Sequence, residues 1–127
     1  MIKNEEKFKT FNLEDPQQFA TACAFLLDDK KGKDIIIVDL KEKSIIADYF
    51  VICSASSTTQ VRALAEYVDD EMGKHGYNIL HRDIDGKWAA LDYGAVIVHV
   101  FYNELREYYQ IERLWDSGNN ITAYEGE

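Results

Sequence analysis

The sequence predicts a single α/β domain, a mixed (parallel and antiparallel) five-stranded sheet with helices packed on it. Three observations carry that expectation. The runs "DIIIVDL" and "DYFVICS" are apolar on both alternating faces, as strands covered on both sides are. Two longer stretches repeat apolar residues at helical spacing between cap and stop signals. Last, "WAALDY" and "AVIVHVF" meet at a Tyr-Gly pair and read as a hairpin.

Each element follows in chain order. Residues 1–14 form a polar N-terminal extension, 15–116 the folded domain, and 117–127 a polar tail. The first helix opens with Asp15 as N-cap, Pro16 at the first helical position and Gln18 three residues after the cap. Phe19, Ala22, Cys23 and Leu26 then mark its buried side, and Gly32 stops it. Strands at 34–40 and 48–54 come next. Ser57 and Gln60 pair as a capping box for a second helix, whose core stripe is Val61, Leu64, Ala65, Val68 and Met72 and whose end is Gly76. A third strand in "YNILHRD", a turn at Asp85-Gly86 and the hairpin follow. One final helix is expected from a cap at Asn103, with Leu105, Tyr108, Ile111 and Trp115 as its apolar stripe.

Length and composition set bounds. At 127 residues the chain can bury a core without disulfides or metal. Its 23 acidic and 14 basic residues give a formal charge of −9, which disfavours direct contact with nucleic acid or an anionic membrane and favours basic partners. Cys23 and Cys53 each lie in apolar sequence without metal-ligand spacing, so they read as small hydrophobes. The stretch "MIKNEEKFKTFN" lacks a signal-peptide core, and no apolar run approaches the roughly 18 residues that span a bilayer. The cytoplasm is the expected compartment.

Candidate chemistry is sparse. Asp83 and Asp85 form a D-x-D pair of the kind that holds Mg²⁺ for nucleotidyl transfer, yet "SASSTTQ" has neither the glycines nor the lysine of a phosphate-binding loop. His99 has no nucleophile elbow or orienting carboxylate in its sequence context. With Tyr93 and Gly94 as the turn residues, strict pairing sets Trp88 opposite His99, Ala90 opposite Ile97 and Asp92 opposite Ala95. Trp88, Asp92 and His99 then share one face, either as ordinary packing or as an interface of aromatic and charged side chains.

Taken together, "DIIIVDLKEKSIIADYFVICSASSTTQVRALAEYV", "WAALDYGAVIVHVF" and "REYYQIERLW" resemble, in order and spacing, the ribosomal silencing factor (RsfS, or Iojap) family, from about Gln17 to Trp115. The resemblance implies a nucleotidyltransferase-like fold without that fold's catalytic loop, and a protein that is not an enzyme and carries no cofactor or metal. It implies binding to the large ribosomal subunit through its ribosomal protein numbered fourteen. By blocking association with the small subunit, such a protein represses translation, notably under nutrient limitation. A homodimer of the free protein is also implied. The partner-facing positions carried over are Trp88, Asp92, Tyr93, Gly94, His99, Phe101, Tyr109, Glu112, Leu114 and Trp115. Two departures stand out: Ala95 where the family often has an acid, and Ser54-Ala55-Ser56 where it often has a glycine. The rival readings are a nucleotide-binding or nucleotidyltransferase-type enzyme using Asp83 and Asp85, and an adaptor for another basic protein.

Overall fold

A strand that is apolar at every position has to lie inside a sheet with both faces covered. That is where the chain puts β2 (Tyr49–Ala55), all seven of whose residues are buried. The computed structural model describes residues 4–126, and in it β2 is flanked by β1 (Lys33–Asp39), antiparallel, and β5 (Val96–Tyr102), parallel. With β3 (His81–Ile84), β4 (Trp88–Asp92) and β6 (Ile121–Ala123) the sheet has six strands in the order β3-β4-β5-β2-β1-β6. The expected mixed sheet is present, with one strand more than the five anticipated. The extra one is β6, inside the stretch read as a polar tail, which pairs antiparallel with β1. Three residues with a single half-buried side chain, Ile121, carry too little alternation to announce a strand.

Side chains alternate across the sheet, so it has two faces with separate cores. One face carries Tyr49, Val51, Cys53, Val98, Val100, Ala89 and Leu91 and lies under α2 (Pro16–Asp29) and α3 (Thr58–Lys74). Both helices start as expected: the Asp15 carboxylate accepts from the Gln18 N–H at 3.3 Å, and Ser57 Oγ accepts from the Gln60 N–H at 3.0 Å. At Gly32 a Cβ would run into Cys53 Sγ, so only glycine lets the chain leave α2 this close to the sheet. Both thiols are buried there, and burial pushes that of Cys53 up to about 12. The N-terminal extension joins this core: α1 (Glu5–Phe8) buries Phe8 against Phe11, Phe25 and His75.

The opposite face carries Val38, Phe50, Ile52, His99 and Phe101, and its cover is lighter. In place of one long final helix there are two short ones, α4 (Asn103–Tyr109) and α5 (Ile111–Leu114), neither of which has a buried residue. Gln110 between them is left-handed at φ 47°, a conformation that costs a non-glycine residue roughly 1–2 kcal/mol. The break resets the helical phase. Leu105, Ile111 and Trp115 pack on the sheet, while Tyr108, expected in the same stripe, is 79% exposed. Asn103 is the first helical residue rather than the cap, and Tyr102 in the cap position makes no side-chain cap bond.

Candidate partner interface

The hairpin closes one residue later than its sequence suggests. Tyr93 N–H donates to Val96 O at 2.9 Å, so Gly94 and Ala95 are the two turn residues, with Gly94 at φ 93°. A two-residue hairpin with glycine first requires that positive angle. Asp92 Oδ1 accepts the Gly94 N–H at 2.7 Å and holds the turn. The observed pairs are therefore Trp88 with Phe101, Ala90 with His99 and Asp92 with Ile97, which corrects the expected register. Each residue keeps its face, because the side-chain period of a strand is two. Trp88, Asp92 and His99 do lie on one side, the lightly covered one.

Tyr93 lies on the other. Its ring packs on Phe19 at 5.1 Å in the core under α2, and its buried hydroxyl has no partner among the described residues. Burial raises its pKa, so it stays a phenol. The ten positions carried over from the family thus divide. Trp88, Asp92 and Trp115 are half-buried around the open part of the face, and Tyr109 and Leu114 are exposed beside it, at 53% and 77%. His99 and Phe101 form its floor, while Gly94 and Tyr93 belong to the turn and the opposite core.

The patch is continuous in its ring contacts. Trp88 packs on Phe101 at 4.9 Å, His99 at 5.9 Å and Tyr109 at 6.1 Å; Phe50 meets His99 at 4.7 Å and Trp115 at 5.8 Å; Tyr108 meets Tyr109 at 5.1 Å. Edge-on and offset rings of this kind hold a shape with little entropy left to lose on binding. Tyr108 and Phe50 were not among the ten partner-facing positions. Phe50 was legible only as one of several strand apolars, and Tyr108 was read into the packed stripe because the helix break is not visible in the sequence.

Glu112 does something else. One carboxylate oxygen accepts from Arg106 Nε at 3.3 Å, and Arg106 Nη1 reaches the Asp34 carbonyl and, at 2.8 Å, Ser54 Oγ. That guanidinium, with its side chain only 10% exposed, ties α4 and α5 to the ends of β1 and β2. No sequence pattern signalled Arg106, since its partners lie 72 and 52 residues away. Asp83 sits exposed on the edge strand β3 and Asp85 in the following turn, where its N–H donates to Trp88 O. Among the described residues no group of three or more His, Cys, Asp or Glu side chains could hold a metal ion, and no helix is long and apolar enough to cross a membrane.

Fold and patch define a class: a single-domain α/β protein that packs two long helices on one sheet face and presents aromatic side chains from the unfinished other. Comparison with known proteins narrows this. A family model described as "Ribosomal silencing factor during starvation" matches residues 13–126. The chain is 38% identical over 98 residues to the ribosomal silencing factor RsfS of Bacillus subtilis, covering 76% of this chain and 80% of that protein. It is 32% identical over 97 residues to the mouse protein named "Mitochondrial assembly of ribosomal large subunit protein 1", covering 71% of this chain and 42% of that one. A crystal structure of a protein from Chromobacterium violaceum superposes with a TM-score of 0.77 at 32% identity, covering 88% of this chain and 94% of that one. The chain belongs to the RsfS family of ribosomal silencing factors.

Proposed function

We propose that the protein binds the large ribosomal subunit through its ribosomal protein numbered fourteen, keeps the small subunit from joining, and so represses translation when nutrients are scarce. The observation that carries this reading is the open aromatic face. A rigid cluster of Trp88, Tyr109 and Trp115 with Leu114 exposed beside it has the composition of a binding hot spot. The name of the mouse relative, with its large subunit, points the same way. The formal charge of −9 favours approach to a basic ribosomal protein over approach to RNA. Cytoplasmic localisation and a homodimer of the free protein belong to this reading.

The test is sedimentation of the purified protein with separated subunits. Comigration with the large subunit alone, and a loss of subunit joining as protein is added, is the expected result. Comigration with neither subunit at low and moderate salt would leave the adaptor for another basic protein as the better reading.

A further inference from the structure

His99 sits at the middle of the patch with a hydrogen bond on one side and none on the other. The indole N–H of Trp88 donates to its Nδ1 at 3.2 Å. An indole nitrogen can only donate, so Nδ1 is the acceptor and the neutral ring carries its proton on Nε2. Burial keeps the ring neutral, lowering its pKa to about 4. The Nε2–H fixed in this way is buried and has no partner among the described residues, on a side chain whose residue is 7% exposed. Its ring neighbours, Phe50, Trp88 and Phe101, carry no oxygen to accept it. An unmet buried donor costs the folded protein the desolvation of an N–H, and native structures keep few of them.

We propose that the Nε2–H of His99 is a specificity donor of the interface, held for an uncharged oxygen acceptor, a backbone carbonyl or a side-chain amide, that the partner inserts into the patch. The inference rests on the ribosome-binding reading and gives it a chemistry. Apolar contact by Trp88 and Leu114 would accept many partners, whereas a buried donor rejects any surface that cannot answer it. A carboxylate is the wrong answer here, because Asp92 shares the face, Glu104, Glu107 and Asp116 lie on or beside the covering helices, and the whole chain is acidic. The donor is closed to solvent in the free protein, so the rings packed around it, the partly buried Trp88 among them, have to give way as the acceptor enters.

Two substitutions isolate the donor. His99→Gln places an amide N–H near the position of Nε2, and His99→Phe keeps a ring with no donor; each weakens or removes the Nδ1 acceptor that Trp88 uses. Thermal midpoints and sedimentation with the large subunit are measured for both beside the wild type. The expected result is that the Phe variant melts above the Gln variant yet binds the subunit at least tenfold more weakly. A Phe variant that binds as well as the Gln variant, or melts below it, would overturn the inference, since the donor would then be satisfied inside the free protein or unused. If the wild type itself binds no subunit, the ribosome reading fails first and takes the inference with it. If the wild type binds and the two variants do not separate, only the inference fails.

Discussion

The two faces of the sheet are made from the same strands and differ in almost everything else. Under α2 and α3, which bury seven and six residues, lie Val51, Cys53, Val98, Val100 and Leu91, all fully buried and all small or branched. The face under α4 and α5, whose helices bury none, gathers Phe50, Trp88, Phe101, Tyr109 and Trp115 around a histidine. A covered face gains stability from close fit, for which aliphatic side chains suffice. A lightly covered one can hold large rigid side chains in position for a partner, as the proposed interface requires. The difference teaches that the main core of this domain and its proposed binding surface are separated by the thickness of one sheet.

Substitutions on each face should therefore fail in different ways. The largest effect is expected on the covered side: Leu64→Ala, at a fully buried site, should cost about 2–5 kcal/mol of folding free energy. Urea unfolding would measure it, and the fraction still folded should bind the large subunit as the wild type does. Next comes the histidine. Its folded pKa of about 4 lies below its ordinary 6.5, so the unfolded chain takes up the proton first. Stability from His99 is thus complete above pH 6.5 and is lost as pH falls toward 4, a change on the order of 3 kcal/mol. Subtracting the pH dependence of His99→Phe from that of the wild type removes the carboxylate contribution and leaves this one.

On the open face Trp88→Ala should weaken subunit binding by about 2 kcal/mol, roughly thirtyfold in Kd, with a smaller loss of stability because the indole is only partly buried. Tyr93→Ala should do the reverse and lose stability without losing affinity, as its ring lies in the other core. The smallest effect belongs to Asp92→Asn. The amide oxygen can still accept the Gly94 N–H, so stability should move by no more than about 0.5 kcal/mol. A salt titration of binding would show a flatter slope if the lost charge faces a basic partner.

What the sequence disclosed follows the same division. The N-caps of α2 and α3 were legible in Asp15, Gln18, Ser57 and Gln60, because a cap is chemistry between residues three apart. The shared face of Trp88, Asp92 and His99 was legible because period two survives an error in the turn. The turn itself was misplaced by one residue, and with it Tyr93, since Tyr-Gly and Gly-Ala are both acceptable pairs until the Asp92 bond to Gly94 is seen. The break at Gln110 was invisible for a different reason. Nothing local ends the helix there; Arg106 and the packing of the partly buried Ile111 and Trp115 on the sheet make the left-handed residue worth its strain.

The parallel pairing of β2 with β5 has a consequence for how the chain reaches this structure. The pairs Tyr49–Val96 through Ala55–Tyr102 each span 47 residues, whereas the β1–β2 hairpin and the β3-β4-β5 meander close locally. Leaving aside the three-residue β6, which returns to β1 from the far end of the chain, the sheet is two short-range halves stitched along one long-range seam, and the entropy of closing that loop must be met before the seam returns any contact energy. Truncations along it, such as Val51→Ala, should slow the folding limb of a chevron, while truncations at the far edge of β4 should chiefly hasten unfolding. The two faces are thus equilibrium partners, and the kinetic boundary runs at right angles to them, between β2 and β5.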